Sequence, residues 1–159
     1  MVEGGVDVRV WAPAHRRVAV AHGPDGGQTM ELAAEPGGTF AGVVPGMGAG
    51  SRYGFLLDAD PKIYPDPASR AQPDGPHGLS AVIDPRAFRW TDAGWRGVGA
   101  RGQVIYELHV ATFTGEGTYE AAARELGALR DLGVTVIELM PVAEFAGRFG
   151  WGYDGASPR

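Results

Sequence analysis

The chain has 159 residues, enough for one domain or for one domain with part of a second. Its 44% hydrophobic and 21% charged residues are ordinary for a globular protein, and a net charge of −5 gives no basis for a nucleic-acid or anionic-membrane partner. There is no cysteine, no basic start and apolar run after Met1, and no apolar stretch approaching about 18 residues. This predicts a soluble cytoplasmic chain without disulfides or thiolate metal sites.

Residues 1–57 alternate with period two. Val6, Val8 and Val10 share one face of a predicted strand, and Asp7, Arg9 and Trp11 share the other. Val18 and Val20 repeat the pattern before the turn sequence HGPDGGQ. Further strands are predicted at 29–33, 39–44 and 51–57, separated by EPGG and PGMGAGS. Short strands with a turn signal every ten residues or so predict a β-sandwich. Residues 58–87 hold six of the twelve prolines, which remove backbone donors and favour an irregular arm. Residues 87–103 read as a linker carrying Trp90 and Trp95.

At residue 104 the period changes. VIYELHVATF is a predicted strand, and Tyr119, Ala122, Ala123, Leu126 and Leu129 then recur at helical spacing. Thr118 is placed to cap that helix, Glu120 suits its positive end, and Gly133 can take the left-handed conformation that stops it. VTVIELM follows as a second strand, closed by Pro141. Strand, helix and strand within about forty residues make a βαβ unit with parallel strands.

Two stretches carry side chains suited to chemistry. On the strand at 104–110, Glu107 and His109 share a face opposite Tyr106, Leu108 and Val110, and the second strand adds Glu138. These are either an acid–base pair or a polar network buried inside a barrel; the network is preferred, because such networks imitate functional sites. The four histidines, His15, His22, His77 and His109, have neither HxH nor HExxH spacing, so no metal site is predicted. No phosphate loop, serine elbow or dinucleotide fingerprint is present, and no cofactor is predicted.

The second stretch is EFAGRFGWGYDG, 144–155, directly after the second strand. Tyr153 has a flat apolar body with a polar tip for stacking on a pyranose ring, and Asp154 can accept hydrogen bonds from sugar hydroxyls. Trp151 and Arg148 can buttress the loop. Trp151, Tyr153 and Asp154 are therefore the candidate substrate-binding residues. The alternative is a glycine-rich loop whose aromatics pack on a following helix.

VWAP (10–13), YPDPASRAQPDGPHGLSAVIDP (64–85), FRWTDAGWRG (88–97), VIYELHVATFTGEGTY (104–119) and GVTVIELMPVAEFAGRFGWGYDG (133–155) together resemble the maltooligosyltrehalose trehalohydrolases, glycoside hydrolases of the α-amylase family. The arm PDPASR…QPDGPHG points to that branch, while VIYELHV and WGYDG are shared with branching and debranching relatives. The resemblance implies an immunoglobulin-like, glycogen-binding-module-like sandwich over 1–98 and the start of a (β/α)₈ barrel over 99–159. It also implies an activity, hydrolysis of the α-1,4 bond next to the terminal trehalose unit, and a substrate, α-glucan or maltooligosyltrehalose. Tyr153 falls on the family's sugar-stacking tyrosine, with Asp154 beside it. Ala111 and Ala146 stand where the family pattern has glycine and proline, and the final Ala-Ser-Pro-Arg departs from it.

A retaining glycosidase needs two carboxylates about 5 Å apart. The resemblance puts them on later barrel strands, so no catalytic residue is expected here and the chain is expected to be inactive. It is read as an N-terminal fragment of such an enzyme. The alternatives are a non-catalytic α-glucan-binding sandwich, with Trp11, Trp90 and Trp95 as platform candidates, and a structural sandwich with an interaction tail.

Overall fold

The computed structural model describes residues 1–147 and 149–155. The chain forms two compact units, the first made mainly by Met1–Arg89 and the second by Trp90–Ala143 with Gly147–Asp154.

The first unit is a two-sheet antiparallel sandwich. Strands β1 (Gly5–Trp11), β5 (Thr39–Pro45) and β4 (Ala33–Glu35) form one sheet in the order β1-β5-β4. The other runs β3-β2-β6-β7, from β3 (Gln28–Glu31), β2 (Val18–His22), β6 (Arg52–Leu57) and β7 (Ser80–Ala81). Alternation sets the core: Val6 and Val8, Val18 and Val20, Phe40 and Val44, and Tyr53 and Phe55 point between the sheets, while Asp7, Arg9 and Trp11 face solvent. Val10 is partly buried against this cluster. Tyr53 and Phe55 meet edge to face at 6.1 Å.

One predicted strand divides. The run at 29–33 breaks at Leu32, so that Gln28–Glu31 pairs with β2 and Ala33–Glu35 pairs with β5. Leu32 is buried in the core while its N–H donates to the Val18 carbonyl at 2.9 Å. The chain thus changes sheets at the one residue of this run that is buried, while Met30 packs on the core from β3.

The proline-rich arm is held by specific bonds. It pairs with β6 through Phe55 N–H to Tyr64 O at 2.7 Å and Tyr64 N–H to Phe55 O at 2.8 Å. A Cβ at Gly54 would lie 2.5 Å from the Ile63 side chain and 2.7 Å from the Tyr64 carbonyl, so glycine lets the arm lie on the outer face of the sheet. Beyond it, Ser80 has no solvent exposure, and its Oγ accepts from Asp66 N–H at 2.9 Å and Gln72 Nε2 at 3.0 Å. Asp66 in turn accepts from the Tyr53 hydroxyl at 2.6 Å, and burial followed by this bond pushes the Tyr53 pKa up. Removing the Ser80 hydroxyl leaves the Asp66 N–H without its acceptor and Gln72 Nε2 with only the Asp66 carbonyl, at 3.3 Å. Ser80→Ala should therefore destabilise the sandwich by about 2 kcal/mol in denaturant unfolding, and an unchanged midpoint would show that the arm has another anchor.

A second tie closes the β1–β2 connection. Asp58, at a left-handed φ of 53°, accepts from the N–H groups of Arg16 at 2.8 Å and Arg17 at 3.0 Å, and pairs with His15 Nδ1 at 2.9 Å. The His15 bond first, and then the two backbone bonds, lower the Asp58 pKa to about 2. A carboxylate depressed in the folded state stabilises it above its unfolded pKa of about 3.9 and loses that contribution as pH falls through the folded value. The stability lost in Asp58→Asn should be largest above about pH 5 and vanish near pH 2. A difference that grows towards acid would contradict this pairing.

In the second unit, β8 (Ile105–Leu108) and β9 (Val136–Leu139) pair in parallel, joined through α1 (Val110–Phe113) and α2 (Tyr119–Leu132). Thr118 Oγ1 caps α2 by accepting from Ala121 N–H at 3.2 Å. Gly133 stops it at φ 105°, donating to Arg130 O at 2.9 Å. Of the predicted apolar face of α2, Ala122 is buried and Leu129 half-buried, whereas Tyr119, Ala123 and Leu126 are exposed; the neighbouring Ala121 is buried instead. Among the described residues, no helix is long and apolar enough to cross a membrane.

Candidate functional site

The second unit brings its polar residues to the end of the parallel strands. Glu107 lies directly opposite Glu138 in the β8–β9 register, and both are exposed. The buried network expected from sequence is absent for a physical reason. A pair of strands with one crossover helix is covered on a single face, whereas parallel strands are ordinarily covered on both. Two like charges opposite one another also weaken the ladder.

His109 is not on the strand with Glu107. Regular pairing stops at Leu108, and the His109 carbonyl accepts from Thr112 N–H at 3.1 Å and Phe113 N–H at 3.0 Å, which starts the single turn of α1. Its ring is turned instead to the loop after β9, with Nε2 3.0 Å from the Gly150 carbonyl oxygen. Among the described residues, no group of three or more His, Asp or Glu side chains is placed to hold a metal ion.

Trp151, Tyr153 and Asp154 lie in that loop and are all exposed, Trp151 at 71% and Tyr153 at 63%. Gly152 between them is buried. A Cβ at Gly152 would stand 1.7 Å from the Pro141 carbonyl oxygen, and its φ of 84° is left-handed. Backbone thus packs inward where no side chain fits, and the flanking aromatics are turned to solvent. Arg148, the other expected buttress, lies outside the described residues. Sequence reading missed Gly152 and His109 as supports of this loop; the WGYDG run was the visible signal, but the contacting carbonyls were not.

Gly152→Ala should displace the loop. Amide exchange over residues 149–155 should accelerate more than tenfold while the sandwich core is unaffected, and unchanged exchange would refute the close packing on Pro141.

No family model matches the chain. A malto-oligosyltrehalose trehalohydrolase of Rhizobium sp. (strain M-11) is 45% identical over 97% of this chain, which covers 26% of that protein. The Deinococcus radiodurans protein of the same name is 46% identical over 96% of the chain and 24% of its own length. Among solved structures, a Salmonella typhimurium protein described as an alpha amylase matches with TM-score 0.87 and 44% identity, over 94% of this chain and 25% of that one. A pullulanase from Bacillus acidopullulyticus shares the fold, with TM-score 0.74 and 24% identity over 94% of this chain and 23% of that one.

A β-sandwich followed by a parallel βαβ element is thus the shared architecture of α-amylase-type glycoside hydrolases over this part of their chains. Over 96–97% of its length the chain is 44–46% identical to malto-oligosyltrehalose trehalohydrolases. It corresponds to the N-terminal quarter of those relatives, and their catalytic region is not covered.

Proposed function

We propose that the chain supplies the glucan-facing N-terminal part of a maltooligosyltrehalose trehalohydrolase, which hydrolyses the α-1,4 linkage beside the trehalose end and releases trehalose. The second unit is the opening βαβ of its (β/α)₈ barrel. The loop after β9 is one rim of its active site, at the strand end where such barrels carry their chemistry. Tyr153 stacks on a glucose ring, Asp154 accepts from sugar hydroxyls, and Trp151 flanks them. One observation carries this reading: Trp151, Tyr153 and Asp154 are all held in solvent around a buried glycine. The two catalytic carboxylates belong to strands outside this chain, so the chain binds glucan without cleaving it.

A second reading, a glucan-binding sandwich, is favoured by Trp11. Its ring is 72% exposed on the outer face of β1, and its Nε1–H donates to the Gly37 carbonyl at 3.0 Å. The four tryptophans give four indole N–H resonances, which separate the two readings in a maltoheptaose titration. The rim reading expects the Trp151 resonance to move and Tyr153→Ala to weaken binding about tenfold, the loss of one aromatic stack. Movement of Trp11 alone would favour the sandwich reading. Trehalose released from maltooligosyltrehalose by this chain would defeat the proposal that its catalytic acids lie elsewhere.

A further inference from the structure

We infer that His109 is the positioning residue of the glucan-binding loop, holding Trp151 and Tyr153 in stacking geometry through a hydrogen bond to the Gly150 backbone. The inference rests on the rim reading of that loop.

His109 sits where β8 gives way to α1 and is half-buried. Its Nε2 is 3.0 Å from the Gly150 carbonyl oxygen, 41 residues along the chain. A carbonyl oxygen only accepts, so Nε2 carries the hydrogen and donates. Thr112 Oγ1 lies 3.4 Å from Nδ1 and 3.4 Å from the His109 carbonyl oxygen, within reach of the other ring nitrogen. Since Nε2 also carries a hydrogen in the imidazolium, the bond to Gly150 survives a change in the charge of the ring.

Trp151, Tyr153 and Asp154 are exposed, so they add little packing of their own. Gly152 fits beneath them against Pro141 because it lacks a side chain, which permits the approach but supplies no directional bond. His109 supplies the direction at the residue immediately before Trp151. A stacking site gains affinity when its aromatic faces are ordered before the sugar arrives, because the ordering entropy is then not charged to binding. His109 touches no sugar in this arrangement and acts through the loop alone.

The test compares His109→Phe and His109→Gln in the full 159-residue chain. Phenylalanine keeps a ring of similar size but has no donor; glutamine places an amide N–H near the position of Nε2. Two readouts are taken: amide and indole hydrogen exchange over residues 149–155 without sugar, and maltoheptaose affinity by nuclear magnetic resonance titration. His109→Phe should speed exchange at Trp151 and weaken maltoheptaose about tenfold. His109→Gln should return both to within about threefold of the parent, a rescue that packing loss alone would not give. The Trp11 indole resonance reports whether the sandwich is intact throughout. Unchanged Trp151 exchange in His109→Phe, or equal losses in both variants, would overturn the inference. If the parent binds no maltoheptaose, the rim reading fails separately, while the sugar-free exchange still decides whether His109 holds the loop.

Discussion

Val18, Val20 and Val44 have no solvent exposure, and the organisation of the first unit follows from the layer they fill. Two antiparallel sheets facing one another can exclude water only if each strand contributes alternate residues to a common layer about 10 Å thick. Val6 and Val8 do so from β1, Phe40 from β5, and Tyr53 and Phe55 from β6. That demand explains the sheet change at Leu32, which enters the core as the chain crosses from β3 to β4. The outer face of β2 and β6 carries two small residues where the arm crosses it. Ala21 and Gly54 are opposite one another in the register, and the arm closes over them with Ile63 and Leu79.

The second unit follows the same physics with less to bury. Its strands lie parallel, the arrangement that normally has cover on both faces, and α2 buries Ala121 and Ala122. Ile105 is 60% exposed and Leu132 78% exposed. Period-two alternation puts Ile105, Glu107, Val136 and Glu138 on the same face of the sheet. A face that combines apolar residues with two registered carboxylates suits the inside of a closed barrel, where other strands supply apolar neighbours and hydrogen-bond partners. This is the physical support for reading the unit as the opening of a barrel whose relatives are about four times as long.

Local rules made part of this structure legible in the sequence. The valine alternation marked β1 and β2, and Thr118 and Gly133 marked both ends of α2, because caps and period depend on residues a few positions apart. The division of the 29–33 strand was not legible, since Leu32 ends its pairing for the sake of a core built from distant segments. Nor was the single turn of α1, which begins at His109 inside what reads as a continuous strand. The site divides similarly. Aromatic and acidic residues beside glycines, directly after a strand, nominated Trp151, Tyr153 and Asp154. Nothing in the sequence announced that His109 would bond Gly150, or that Gly152 would rest on Pro141, because both contacts use backbone carbonyls, which every residue has.

The disposition of that loop bears on what it is for. Large aromatic side chains stabilise a protein by leaving water, at roughly 25 cal/mol per Å² of apolar area buried. Here Trp151 and Tyr153 stay largely outside while the residue between them, with no side chain to bury, is the one packed inward. Such an arrangement forgoes folding stability, and clustered exposed aromatics of this kind mark surfaces that bind. Later parts of a barrel can cover apolar rings, but they gain nothing from an adjacent carboxylate unless a donor meets it. A glucan meets both requirements together, with apolar pyranose faces for the rings and hydroxyls for Asp154 and the Tyr153 hydroxyl. The neighbouring acid makes sugar a better match for this loop than packing alone.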